Sequence, residues 1–186
     1  MTSATSPAAS IPSSPGRLGD PGTGVLITGG GSGIGRATAF ALAEVGRSLA
    51  LWDIDAVGVE ETAARCREFG VVAHAAVVDV AQSDAIPGAV DEAARTLGLL
   101  GGYVHAAGVS GAATVDDIDD AIWDATLNVN LRAAAIISRH LHIQQAKFEH
   151  GKQSARTRAN NQHIGFDRFA HIASFRLNSC QQAAPV

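Results

Sequence analysis

From Gly24 onward, short apolar runs alternate with longer segments whose apolar positions recur at helical spacing. The run Gly24 to Thr28 stops abruptly at glycines and predicts a buried strand. Gly33 to Val45 then sets Ile34, Ala37, Phe40 and Ala41 at helical intervals in an Ala- and Leu-rich stretch, which favours a helix. The unit repeats. Ser48 to Trp52 is a second apolar run ending at Asp53, followed by a helix through about Phe69 that carries Glu60, Glu61, Arg65, Arg67 and Glu68 outward. Val71 to Val78 predicts a third strand ending at Asp79, Ser83 to Leu97 a helix despite Pro87, and Tyr103 to Ala106 a fourth strand ending in Ala107 and Gly108.

Such alternation predicts an α/β fold, a doubly wound parallel sheet with right-handed crossovers and helices on both faces. Ligands of such sheets sit beyond the carboxyl ends of the strands, so the residues just after each strand carry the information.

Composition narrows the class. At 186 residues, 46% hydrophobic and 17% charged, the chain fits one domain over residues 24–186. The first 23 residues, rich in Ser, Thr, Ala, Pro and Gly, predict a disordered tail without the apolar core of a signal peptide. No run approaches the ~18 consecutive apolar residues of a membrane span. A net charge of −4 and a pI near 5.9 leave no footprint for nucleic acid or an anionic membrane, so small-molecule partners are expected. The basic stretch Lys147 to Arg158 lacks interleaved aromatics and reads as a solvated loop. Only Cys66 and Cys180 occur, without metal-ligand spacing; a cytoplasmic location suits this count, and no metal is expected.

The segment Thr28-Gly29-Gly30-Gly31-Ser32-Gly33-Ile34-Gly35 joins the first strand to the first helix. Its glycines permit positive φ angles and close approach of a pyrophosphate, while the helix start offers free N–H donors and a positive dipole end. A tight turn is the competing reading. Gly30 and Gly35 also have the spacing of a nucleotidase phosphate loop, but Arg36-Ala37 replaces the Lys-Ser/Thr such a loop requires. Asp53, 18 residues beyond Gly35, can accept hydrogen bonds from both hydroxyls of an adenosine ribose, and its charge repels a 2′-phosphate. A solvated acid or helix cap is the alternative. Neither Ser32 nor Ile34 is basic and Arg36 is read as facing solvent, so NAD is preferred to NADP.

Together these residues resemble the short-chain dehydrogenase/reductase family, whose glycine motif Thr-Gly-x-x-x-Gly-x-Gly is matched by Thr28, Gly29, Gly33 and Gly35, with Ser32 and Ile34 between them. The resemblance implies a Rossmann fold, incomplete at its C-terminal end. Asp79-Val80 is similar to the family's Asp-Val pair, which implies contacts with the adenine. His105-Ala106-Ala107-Gly108 stands where the family has Asn-Asn-Ala-Gly. The last two positions match and the first two depart; His105 reads as a core histidine. Asn130, before Leu131, matches the helix-borne Asn that helps hold a proton-relaying water, a surface Asn being the alternative.

Beyond His140 the pattern breaks. Residues 144–168 hold five basic and two acidic residues with almost no apolar periodicity, and predict an inserted or divergent loop. Phe169 to Ser174 then resembles the family's fifth strand and its catalytic serine, unless the segment has no equivalence to the family and Ser174 is coincidental. The family's tyrosine would fall just past Val186. Tyr103 is the only tyrosine, and neither Lys147 nor Lys152 stands four residues after it, so the Tyr-x-x-x-Lys pair of general acid–base catalysis is absent from these residues.

The resemblance therefore implies a partial NAD(P)-dependent oxidoreductase that would interconvert a secondary alcohol and a carbonyl, from a family that is usually homo-oligomeric, with much of the interface expected beyond Val186. The alternatives are a non-catalytic nucleotide-binding or interaction module and, against the glycine spacing, a methyltransferase.

Overall fold

The computed structural model describes residues 22–110, 114 and 116–159. The chain divides into two compact units, residues 1–149 and 150–186, and the sheet and site lie in the first. In order, the described elements are β1 (Gly24–Thr28), α1 (Gly33–Glu44), β2 (Leu49–Asp53), α2 (Ala56–Arg67), β3 (Ala73–Val77), α3 (Ile86–Leu97), β4 (Leu100–His105), α4 (Asp120–Leu127), a π turn (Asn128–Arg132) and α5 (Ala133–Ala159).

The strands form a parallel sheet in the order β3-β2-β1-β4, the doubly wound arrangement that the alternation predicts. Side chains alternate across each strand, and this sorts the core into two layers. Val25, Ile27, Leu49 and Leu51 pack with Ala39, Ala43, Val59, Ala63 and Cys66 of α1 and α2. Leu26, Ala50 and Trp52 pack on the other face with Ile86, Val90 and Ala93 of α3 and with Ala133, Ile137 and Leu141 of α5. Both faces are covered, which is why the strands read as continuous apolar runs. Burial pushes the Cys66 thiol up despite the neighbouring Arg65 and Arg67, and this cysteine packs in the core.

Pro87 lies in the first turn of α3, where its missing N–H leaves no intrahelical bond unmade. Strand β4 starts at Leu100, three residues before the predicted start. Gly101 belongs to the strand because a side chain there would overlap that of Thr23, so packing against β1 outweighs the low strand propensity of Gly101 and Gly102. Thr23, the last residue of the predicted tail, is buried, and its hydroxyl accepts from Arg47 at 3.0 Å.

One expectation is corrected. The loop predicted over residues 144–168 is helical as far as Ala159, since α5 runs on from Ala133. Ala, Gln, Lys, Glu and Arg dominate this stretch and are strong helix formers, so the helix continues without an apolar stripe. Within it Gln145 Nε2 donates to the Leu100 carbonyl at 3.0 Å. The remainder of that segment, the strand placed at Phe169 to Ser174, and Ser174 itself lie outside the described residues.

Candidate nucleotide site

The carboxyl ends of four parallel strands bring Thr28, Asp53, Asp79 and Ala106 to one side of the sheet, each followed by the loop the sequence singled out. Three glycines of the first loop do three different things. Gly29 has φ +69°, and a Cβ there would lie 2.6 Å from the Ala106 carbonyl carbon and the Ala107 nitrogen, so β1 and β4 meet through it. At Gly35 a Cβ would overlap the Gly29 carbonyl oxygen, so this glycine seats α1 on the end of β1. Gly33 has φ +48° and nothing of the protein within 4 Å of its Cβ position. It opens α1 toward empty space.

The first turn of α1 carries no acidic side chain, and the N-cap Ser32 makes no side-chain capping bond. The first N–H groups of a helix lack intrahelical partners, so this end offers donors and positive potential. Ser32 and Ile34 beside it are exposed. The loop is otherwise tied down: Gly30 N donates to the Trp52 carbonyl at 3.0 Å, and Gly31 N donates to Asp53 Oδ2 at 2.8 Å. Asp53 Oδ1 accepts from Asp55 N at 3.0 Å. The competing reading of Asp53 as a helix cap is excluded, since Asp55 caps α2 by accepting from Val57 N at 3.1 Å.

Asp79 is exposed, its carboxylate accepting from Ala81 N at 2.9 Å and Gln82 Nε2 at 3.3 Å, which fixes the turn after β3. Val80 turns into the core. Ala106 N donates to the Thr28 carbonyl at 3.1 Å and Ala107 N to Thr28 Oγ1 at 3.3 Å. Gly108 follows, exposed, its Cβ position 3.4 Å from Asn130 Oδ1.

Asn130 sits in the π turn and holds the loop after β4 with both ends of its amide: Oδ1 accepts from Val109 N and Nδ2 donates to the Val109 carbonyl, each at 2.9 Å. That pairing accounts for an Asn within a helical segment, where it is intrinsically unfavourable.

His105, the last residue of β4, is held by hydrogen bonds. Nε2 lies 3.0 Å from the Val129 carbonyl, which can only accept, so Nε2 carries the hydrogen; Nδ1 lies 2.8 Å from the Tyr103 hydroxyl and 2.9 Å from the Thr28 hydroxyl, and its single lone pair accepts from one of them. The network ties β1 and β4 to the π turn. His105→Ala would strip the Val129 carbonyl of its donor and one hydroxyl of its acceptor, with an expected loss of about 1–3 kcal/mol in urea unfolding; His105→Asn should retain part of it. Tyr103 lies in mid-strand, and burial pushes its phenol well above the ordinary tyrosine value. It is not a phenolate source.

Arg36 departs from expectation. It does not simply face solvent: its guanidinium donates to the carbonyls of Gly31 and Gly58, the latter at 3.3 Å, and to Thr62 Oγ1 at 3.0 Å, with Glu61 at 3.8 Å. Gly58 and Thr62 lie on the next helix and two of the acceptors are backbone carbonyls, so no spacing announces them. Among the described residues, no group of three or more His, Cys, Asp or Glu residues could hold a metal, and no helix is long and apolar enough to cross a membrane.

Fold and loop chemistry define a dinucleotide-type α/β domain. Residues 23–152 match the short chain dehydrogenase family, and the chain belongs to it. It is 39% identical over 127 residues to estradiol 17-beta-dehydrogenase 11 of Rattus norvegicus, covering 68% of this chain and 43% of that protein. To 2-(S)-hydroxypropyl-CoM dehydrogenase 3 of Xanthobacter autotrophicus it is 38% identical over 115 residues, 62% of this chain and 45% of the relative. Among solved structures, an NAD+-bound xylitol dehydrogenase superposes with a TM-score of 0.63 at 35% identity, covering 66% of this chain and 48% of the other. A short chain dehydrogenase from Burkholderia cenocepacia in complex with NADP gives 0.63 at 36%, covering 68% and 51%. The chain thus spans about half the length of its relatives or less.

Proposed function

We propose that this chain supplies the nucleotide-binding half of an NAD(P)-dependent oxidoreductase acting on secondary alcohols and ketones, with NAD preferred to NADP. The observation that carries the reading is the open helix start at Gly33 standing beside the Asp53 carboxylate, which is bonded to the same loop.

In this reading Gly29, Ser32, Gly33, Ile34 and Gly35 receive the pyrophosphate on backbone N–H groups, and Thr28, at the start of that loop, ties it to the end of β4 through Ala106 and Ala107. Asp53 accepts the adenosine ribose hydroxyls on the lone pairs its backbone donors leave open. Asp79 and the Val80 backbone border the adenine, while Ala106, Ala107 and Gly108 let the β4 end approach the cofactor closely. When bound, the nicotinamide supplies hydride transfer. Asn130 is assigned to the proton-relay water and Ser174 to orienting the substrate carbonyl, both on the family pattern.

The preference for NAD rests on this chain's own residues, because the neighbouring structures contain NAD+ in one case and NADP in the other. Asp53 places negative charge where a 2′-phosphate would lie, and Arg36 is committed to backbone carbonyls. The only tyrosine, Tyr103, is a strand residue hydrogen-bonded to His105, so these 186 residues bind nucleotide without turnover. Calorimetric titration with NADH, NADPH and S-adenosylmethionine tests the reading; a methyltransferase would bind only the last.

A further inference from the structure

The geometry points to Arg36 as a positioning residue that sets nucleotide affinity and the preference between NADH and NADPH, an inference resting on the nucleotide-binding reading above. Gly31 is held on both sides: its N–H donates to Asp53 Oδ2 at 2.8 Å, and its carbonyl accepts from the Arg36 guanidinium. One glycine, through the two peptide units that flank its Cα, therefore links the cation of α1 to the acid at the end of β2.

The guanidinium is itself fixed. Nε donates to Thr62 Oγ1 at 3.0 Å, and Thr62 in turn donates to the Gly58 carbonyl at 2.9 Å, which also accepts from Arg36 at 3.3 Å. Thr62 is fully buried, whereas Glu61, at 3.8 Å, is an exposed and weaker partner. Gly58 makes this closeness possible, because a Cβ there would lie 2.8 Å from the Gly31 carbonyl oxygen. Gly31 is equally constrained: its Cβ position lies 2.8 Å from Asp53 Oδ2 and 3.2 Å from Val59 N. Two glycines with no room for a side chain and one buried threonine thus surround the contact between cradle and α2.

Arg36 touches no ribose and no phosphate in this scheme; it acts through Gly31. Without the guanidinium, the Gly31–Ser32 peptide loses its restraint, and because Gly31 has no Cβ to limit its φ and ψ, the Gly31 N–H that orients Asp53 is held less firmly. Ribose hydroxyls would then meet a mobile carboxylate, while a 2′-phosphate would meet a negative charge able to swing aside. Affinity for NADH falls more than affinity for NADPH.

The test is calorimetry on the full chain carrying Arg36→Met, with NADH titrated directly and NADPH by displacement. NADH affinity is expected to fall about tenfold, the effect of losing one charge-assisted hydrogen bond, and the ratio of NADH to NADPH affinity should shrink. Arg36→Lys, which keeps one donor for Gly31, should recover part of the ratio, and Glu61→Gln should leave it unchanged. Equal losses for both nucleotides would mean that Arg36 merely staples α1 to α2, and unchanged affinities in folded protein would overturn its role entirely. If Arg36→Met does not fold, Thr62→Val decides: a shift of the ratio in the same direction supports the inference, and no shift sinks it. Failure of the unsubstituted chain to bind either nucleotide removes the nucleotide reading and this inference together, whereas binding that is indifferent to Arg36 removes the inference alone.

Discussion

Gly33→Ala is expected to leave the chain folded while cutting its affinity for NADH at least tenfold. The two effects separate because of what surrounds the position. No protein atom lies within 4 Å of the Cβ site, so the methyl group meets no wall, and the folded state suffers only the cost of an alanine at φ +48°, roughly 1–2 kcal/mol. The open space in front of that methyl is where phosphate oxygens would approach the helix N–H groups, and contact there must lengthen or be lost. Gly35→Ala makes the contrast. Its Cβ would overlap the Gly29 carbonyl oxygen, which cannot move without shifting β1 from β4, so a loss of about 3 kcal/mol or more is expected. Paired thermal melts and NADH titrations check both variants. If Gly33→Ala binds NADH as tightly as the unsubstituted chain, no phosphate rests there.

Asp53→Ala is expected to reverse the nucleotide preference. The carboxylate accepts from Gly31 N and Asp55 N and has lone pairs left for the two ribose hydroxyls. A hydrogen bond to a charged group contributes about 1.5–3 kcal/mol, so losing even one of the two should drop NADH affinity at least about ten- to a hundredfold. Removing the negative charge relieves repulsion of a 2′-phosphate, and NADPH affinity should rise. Asp53→Asn separates charge from hydrogen bonding: it keeps one acceptor oxygen and should lose less NADH affinity while still gaining NADPH. An Asp53→Ala variant with unchanged NADH affinity would contradict the assignment.

What the sequence disclosed depended on whether the physics was local. Strands β1 to β3 were legible because each is an apolar run closed by glycine or aspartate, and both faces of the sheet are buried. The start of β4 was hidden because Gly101 and Gly102 lack strand propensity; they are held there by close packing against Thr23 and Val25. The end of α5 was hidden because periodicity reports which face is buried, not whether a segment is helical, and this stretch has no apolar stripe.

The same division holds at the site. Gly29, Gly33, Gly35 and Asp53 follow one another at short, readable intervals, and the structure brings them together. Arg36 gave no signal, because its partners Gly58 and Thr62 lie on the next helix and two of its acceptors are carbonyls that every residue possesses. His105 was legible as a packed histidine but not as the donor to Val129, since nothing in the sequence marks the π turn that presents this carbonyl.

The most direct measurement is a calorimetric titration of the 186-residue chain with NADH, paired with an absorbance assay for nicotinamide turnover over a panel of ketones. Saturable binding at one site per chain, tighter for NADH than for NADPH and without turnover, is the expected result. Absence of binding in a folded sample would contradict the nucleotide assignment, and turnover would contradict the conclusion that these residues lack the acid–base pair.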